Sequence, residues 1–141
     1  MNATPSNTFS VYKNKPFARF ARKANITDVD LWKAAESASE GRIDADLGGG
    51  VIKQRIARAG EGKSGGSRAV ILLRRAERAV YVYGFEKKDM ANISASDLAA
   101  FRAYAIRYLG FTDAEMKKLV ETGALFQIES PKENIDAEKI P

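Results

Sequence analysis

The sequence contains neither histidine nor cysteine. Histidine is the commonest general base and metal ligand, so its absence excludes Ser-His-Asp and Cys-His catalysis and the two-histidine arrangement of many ribonucleases. Without cysteine, neither a disulfide framework nor a thiolate metal site can form. Asp44, Asp46 and Asp89 lack a convincing ligand spacing. We therefore expect no metal and no other cofactor, and any acid–base chemistry must use Lys, Arg, Tyr, Asp or Glu.

Long apolar runs are also missing. No stretch of 18 apolar residues is present, so we predict no membrane span. The N-terminus lacks an apolar signal core, which leads us to expect a cytoplasmic protein rather than a secreted one. The length of 141 residues suits one domain with a sizeable core. We expect a disordered segment at 1–8, a single domain over 9–128 with a helical extension after about 110, and a flexible tail at 129–141.

The positive charge is unevenly distributed along the chain. The formal net charge is +5, and residues 42–88 hold 11 Lys/Arg against 5 Asp/Glu. A local excess of this kind can bind phosphates. It can equally serve as a solubility surface, and composition alone does not separate the two interpretations.

Hydrophobic periodicity predicts the secondary structure. Residues 9–15 alternate as a strand does, and Pro16 is typical of the first position of a following helix. Thr27 caps a second helix, which Gly41 ends. Two more helices follow later: Ser94 caps the first, which ends at Gly110, and Thr112 caps the second, which ends at Gly123.

Three strand-like runs occupy the middle of the chain, at residues 51–57, 68–73 and 79–85. Residues 46–50 break the pattern before the first run, and 125–128 has the character of a short last strand. The predicted order is β-α-α-β-β-β-α-α. Consecutive strands with short connections indicate an α+β fold with a small twisted antiparallel sheet flanked by helices.

Cationic and aromatic residues cluster on these central strands. Lys53 and Arg55 lie two apart, so they share one face of a strand. Taken alone, the pair fits a solvated strand face. Antiparallel pairing would bring further cations and rings close to them, namely Lys63, Arg68, Lys87, Lys88, Tyr81 and Tyr83. Cations bind phosphates and aromatic faces stack on unpaired bases, so this combination favours a surface for RNA.

A glycine-rich loop separates the first two runs and carries Lys63. Its glycines permit positive φ and a close approach of backbone to phosphate. A merely flexible loop also fits the composition.

Several segments together resemble a known family. They are 17–24 (FARFARKA), 44–57 (DADLGGGVIKQRIA), 60–68 (GEGKSGGSR) and 82–93 (VYGFEKKDMANI). In this order and spacing they resemble the RelE-like toxin family, on a HigB-like branch of the RelE/ParE superfamily of type II toxin–antitoxin systems. The resemblance runs from about residue 11 to residue 93.

The resemblance implies a toxin that cuts mRNA on the translating ribosome without a metal. It also implies a co-encoded antitoxin, commonly a helix-turn-helix DNA-binding protein. By motif it assigns catalysis to the family's basic positions, here Arg68, Lys53, Lys63 and Lys87. We predict a further set of RNA-binding residues: Arg55, Lys88, Tyr83 and Tyr81.

Two departures from the family pattern keep alternatives open. Ser67 stands where the family usually has tyrosine, and about thirty residues after Gly110 have no assigned role. One alternative is a ParE-like inhibitor of DNA gyrase, since members of the superfamily divide between the two activities. The other is a degenerate toxin that retains only antitoxin binding and operator regulation.

Overall fold

A single six-stranded sheet organises the chain and carries helices on both faces. The computed structural model describes residues 9–57, 66–87 and 93–131. The elements in chain order are β1 (Ser10–Asn14), α1 (Lys15–Lys23), α2 (Asp28–Ser39), β2 (Ala45–Gly48), β3 (Val51–Ile56), β4 (Ser67–Arg74), β5 (Arg78–Glu86), α3 (Ala95–Gly110), α4 (Asp113–Glu121) and β6 (Leu125–Ile128). The predicted α+β class is confirmed.

The sheet is mixed rather than wholly antiparallel, which corrects the sequence prediction. The spatial order is β2-β3-β4-β5-β1-β6, and β1 runs parallel to β5. The four other neighbouring pairs are antiparallel. Short connections enforce antiparallel pairing of β3, β4 and β5, but β1 reaches β5 across a long stretch of chain. No local signal sets the direction of such a pair.

Strand β6 confirms the short last strand predicted at 125–128, which the predicted order left out. Strand β2 was not predicted: it overlaps the segment expected to break the pattern, and glycines form the turn to β3. Gly48, Gly49 and Gly50 have φ values of +85°, +66° and +84°. A Cβ on Gly50 would lie 2.9 Å from a methyl group of Leu109. Glycine therefore both makes the β2–β3 turn and lets α3 pack closely upon it.

The helices begin where the capping residues predict. Thr27 and Thr112 each form a complete capping box, with Asp30 and Glu115 as the reciprocal acids. Ser94 caps α3 through its side chain. Within the described ranges no helix is long and apolar enough to cross a membrane.

Two apolar layers form, one on each face of the sheet. The first lies beneath α1 and α2 and includes Phe17, Leu31 and Tyr81. The second lies beneath α3 and α4 and includes Leu109 and Met116. The residues that follow Gly110 are thus structural: α4 closes the second layer, and β6 pairs with β1 at the edge of the sheet.

Arg78, at the start of β5, ties the sheet to the link between α3 and α4. Its side chain is nearly buried and donates hydrogen bonds of 2.8 Å to the carbonyls of both Tyr108 and Phe111. It also contacts the carboxylate of Asp113 at 3.0 Å. The carbonyls of a helix C-terminus otherwise lack partners, and a cation there complements the helix dipole.

We predict that Arg78→Met lowers the free energy of unfolding by about 3 kcal/mol, because the substitution leaves two partly buried carbonyls without their charged donor. Asp113→Asn is the matched control and should have little effect, since the Asp113 side chain is fully exposed. Urea denaturation of both variants tests this. Equal stability of the two would contradict the role given to Arg78.

Candidate functional site

One end of the sheet carries cations and aromatic rings on the face that α3 occupies. Arg55 of β3 lies opposite Arg68 of β4, which in turn lies opposite Phe85 of β5. In the neighbouring row, Lys53 and Tyr83 lie on either side of Val70. We call this surface, formed by Lys53, Arg55, Arg68, Tyr83 and Phe85, the cationic face.

Alternation along the strands places these side chains together. Ile52 and Ile56 of β3 enter the layer beneath α1 and α2, so Lys53 and Arg55 face the opposite side. Both are half-buried, as is Arg68, while Tyr83 is 47% exposed. Directly opposed side chains in an antiparallel pair are about 5 Å apart at Cβ. The backbone positions of the three cations therefore lie in two neighbouring rows on one face of the sheet.

A β-bulge in β5 separates the two predicted tyrosines. The register shifts so that Val70 lies opposite Tyr83 while Ile71 lies opposite Tyr81, which leaves Val82 as the extra residue. Simple alternation would have placed both rings on one face. The bulge instead turns Tyr83 toward α3, where its ring centroid lies 6.0 Å from those of Phe85 and Phe101. Bulges commonly re-aim a side chain next to a functional site.

Asn14 holds the bulge in place. Its side-chain amide donates a 3.2 Å hydrogen bond to the carbonyl of Val82. The same side chain accepts a 2.9 Å hydrogen bond from the backbone of Phe17 and so caps α1. One residue thus satisfies the helix terminus and the irregular strand at once.

Tyr81 requires a correction, because its ring does not reach the cationic face. The side chain is fully buried beneath α1, with its ring centroid 4.7 Å from that of Phe17. Its hydroxyl donates a 2.7 Å hydrogen bond to the carbonyl of Leu31. We therefore assign Tyr81 to the core rather than to RNA binding.

Burial raises the pKa of Tyr81 far above its ordinary value. A raised pKa in the folded state means that the unfolded chain releases this proton first. The contribution of Tyr81 to stability is complete below about pH 10, the ordinary pKa of tyrosine, and is lost as the pH rises above it.

We predict that the free energy of unfolding falls above about pH 10 and that Tyr81→Phe makes this fall shallower. Near neutral pH, Tyr81→Phe should also lower the free energy of unfolding by about 1 kcal/mol, because the hydrogen bond to Leu31 is lost. Denaturant titrations from pH 7 to pH 11 measure both effects, with Tyr83→Phe as the control because that ring is half exposed. An unchanged slope in Tyr81→Phe would show that other groups control alkaline unfolding.

Arg55 and Arg68 lie directly opposite each other, so two like charges are neighbours in the sheet. Like charges directly across a strand pair destabilise it. Arg68 makes a long 3.4 Å hydrogen bond to the carbonyl of Ser67. A carboxylate of Asp44 accepts from the backbone of Arg55, at the edge of β3. Neighbouring like charges are expected at sites that bind a ligand of opposite charge.

Ser67 faces away from the cationic face. It is fully buried, and its hydroxyl lies 3.0 Å from a carboxylate oxygen of Glu86. Residue 67 alternates with Arg68, so a side chain at this position belongs to the face that carries α1 and α2. The absence of a tyrosine here removes no ring from the cationic face.

The remaining predicted residues lie near or beyond the described chain. Lys87 follows β5 and is exposed, and its backbone N–H donates a 3.1 Å hydrogen bond to the carbonyl of Gly66, just before β4. Lys63 and Lys88 lie outside the described residues. Over 9–57, 66–87 and 93–131, no three acidic side chains gather in a way that could hold a metal ion.

Sequence reasoning missed Phe85 and Asn14. Phe85 alternates with Tyr83 and shares its face, so the strand pattern contained that signal. Asn14 before Pro16 indicates a helix cap, but its bond to Val82 joins residues 68 positions apart. No sequence pattern reports that contact.

Comparison with known proteins agrees with this architecture. Residues 9–128 match the family model described as the RelE toxin of the RelE/RelB toxin–antitoxin system. No curated protein matches the chain. The match covers most of the chain, including α4 and β6. The chain belongs to the RelE toxin family, and it is the toxin partner of an antitoxin.

Proposed function

We propose that this toxin is a metal-independent endoribonuclease that cuts mRNA on the ribosome and so arrests translation. The observation that supports the proposal is the placement of Lys53, Arg55 and Arg68 on one face of the sheet, beside the half-exposed ring of Tyr83. Cations bind the phosphate and a ring stacks on an unpaired base. Assignment to the HigB-like branch and a cytoplasmic location remain predictions.

The reaction needs three catalytic functions from the protein: a base, an acid and stabilisation of negative charge. The 2′-hydroxyl loses its proton and attacks the adjacent phosphorus, which forms a 2′,3′-cyclic phosphate. The 5′-oxygen leaves with the electron pair of the broken P–O bond and takes up a proton. The phosphorane between these states carries extra negative charge, which fixed cations stabilise more strongly than they stabilise the substrate.

We assign these functions by position on the cationic face. Arg68 lies in the middle of its row, between Arg55 and Phe85, and stabilises the phosphorane. Lys53 transfers the protons, because it lies one row from Arg68 on the same face of the sheet. Lys87 is the second candidate for proton transfer, and Lys63 of the glycine loop contributes a further cation. Arg55 and Lys88 position the phosphate backbone of the RNA.

We predict that Arg68→Ala lowers the rate of ribosome-dependent mRNA cleavage by roughly 100-fold or more. Arg74→Ala is the matched control, because Arg74 is exposed on the β4–β5 hairpin and pairs only with Glu77 in the described chain. The rate is measured by primer extension on a defined transcript with purified ribosomes. Unchanged cleavage by Arg68→Ala would remove Arg68 from the catalytic set.

Expression in a bacterial cell separates the alternatives. Rapid arrest of translation with cut transcripts supports the nuclease. DNA damage and filamentation would instead indicate a gyrase inhibitor. An inert protein that still binds its antitoxin would indicate a degenerate toxin.

We further propose that the antitoxin, a helix-turn-helix protein, covers the cationic face with an acidic segment. The excess of positive charge over residues 42–88 complements such a segment. Charge complementarity accelerates encounter, and buried apolar anchors slow release. The exposed ring of Tyr83 and the partly buried ring of Phe101 beside it offer such anchors.

We predict that the association rate of toxin and antitoxin falls steeply between low and high salt, since exposed charges are screened over about 10 Å at 0.1 M. Arg55→Gln with Arg68→Gln should flatten this dependence. Ile106 lies on the outer side of α3 and is 78% exposed, so Ile106→Ser should leave the association rate unchanged. Stopped-flow measurements of the association rate at low and high salt test both expectations. If only Ile106→Ser weakened binding, the antitoxin would dock on the outer helices instead.

A further inference from the structure

The exposed side of α1 carries only positive charge. Lys15, Arg19, Arg22 and Lys23 are all exposed, and their spacing places them along one side of the helix. Residues 9–24 contain five basic residues and no acidic one. We call these four side chains the α1 stripe. Each of the other three described helices carries acidic residues among its exposed cations.

The stripe costs stability rather than adding it. In the part of the chain that the structure describes, none of the four side chains forms an ion pair. Like charges three or four apart repel by about 0.2–0.5 kcal/mol per pair. Arg22 and Lys23 do complement the C-terminal dipole, but Lys15 stands at the N-terminal end, where a cation is unfavourable. Helix stability therefore does not account for the stripe.

We infer that the α1 stripe binds the phosphate backbone of structured RNA, separately from the cationic face. This inference rests on the proposed ribosomal function and extends it from the cut strand to the RNA against which the toxin docks. The four cations span about 12 Å along the helix. Long lysine and arginine side chains at that spacing can neutralise several phosphates together.

The surroundings of the α1 stripe favour RNA over a lipid surface or a protein partner. A lipid surface would need an apolar helix face to insert, but Phe17, Ala18 and Ala21 are committed to the core. A protein partner would need apolar anchors among the charges. The exposed large apolar side chains lie elsewhere, at Val29, Tyr83, Tyr104, Ile106 and Phe126.

The stripe lies directly behind the cationic face. Phe20 of α1 packs against Gly84 so closely that a Cβ on Gly84 would lie 2.2 Å from the ring. Gly84 separates Tyr83 from Phe85, whose rings lie on the other side of the sheet. RNA held by α1 would thus fix the orientation of the cationic face toward a second RNA segment.

The test replaces the four cations of the stripe with glutamine, as Lys15→Gln, Arg19→Gln, Arg22→Gln and Lys23→Gln together. The control removes the same net charge from exposed positions of the other helices, through Lys33→Gln, Arg107→Gln, Lys117→Gln and Lys118→Gln. Both full-length variants are titrated with purified bacterial ribosomes between 50 and 200 mM salt. Circular dichroism establishes that both fold.

We expect the slope of log binding constant against log salt to decrease in magnitude by about 3 in the stripe variant, because four phosphate contacts are lost. The affinity at low salt should weaken at least 10-fold, and the loss should appear in KM rather than in kcat. A separate variant that carries only Arg19→Lys and Arg22→Lys keeps all four charges and should retain most of the slope.

A slope equal to that of the control overturns the inference, as does a stripe variant that loses only antitoxin affinity. Arg68→Ala, which changes the cationic face and leaves the α1 stripe intact, separates this result from the proposed nuclease activity. If the parent binds ribosomes with the predicted slope but never cuts mRNA, the nuclease proposal fails while the α1 stripe stands.

Discussion

The bulge at Val82, held by Asn14, is the constraint on which the functional surface depends. It adds one residue to β5 and so places Tyr83 on the same face as Lys53 and Arg68. The hydrogen bond from Asn14 couples this irregularity to the start of α1. The helix behind the sheet and the aromatic ring in front of it are therefore set by one side chain. Displacing Asn14 would alter both surfaces together.

Helices on both faces of one sheet divide the molecule into two apolar layers, and each layer stops short of full coverage. The cations of β3 and β4 are half-buried on the face that also carries α3. The opposite layer commits the apolar side of α1 to the core and leaves only its cations outside. Because the sheet lies between them, the two basic surfaces cannot contact the same phosphate. This geometry is consistent with the proposal that the toxin engages RNA at two places.

Both basic surfaces place like charges close together. Arg55 and Arg68 oppose each other across a strand pair, and the α1 stripe repels itself along a helix. Repulsion among the cations of the free protein favours any anionic partner. In the proposed function, RNA and an acidic antitoxin segment would therefore compete for the same charges on the cationic face.

Local pattern alone determined the class of fold, the helix caps at Thr27 and Thr112, and the pairing of β3, β4 and β5, because capping chemistry and alternation act over a few residues. It also placed Lys53 and Arg55 on one face. Tertiary structure decided the rest. The parallel β1–β5 pair and the β1–β6 pair depend on contacts between distant parts of the chain. Tyr81 and Tyr83 look equivalent in sequence, yet the bulge sends one into the core and the other to the surface. A charge count over 42–88 also passed over α1, although helix spacing by itself places its cations on one side. The tertiary structure decides that this side stays exposed, because Phe17, Ala18 and Ala21 on the other side pack into the core.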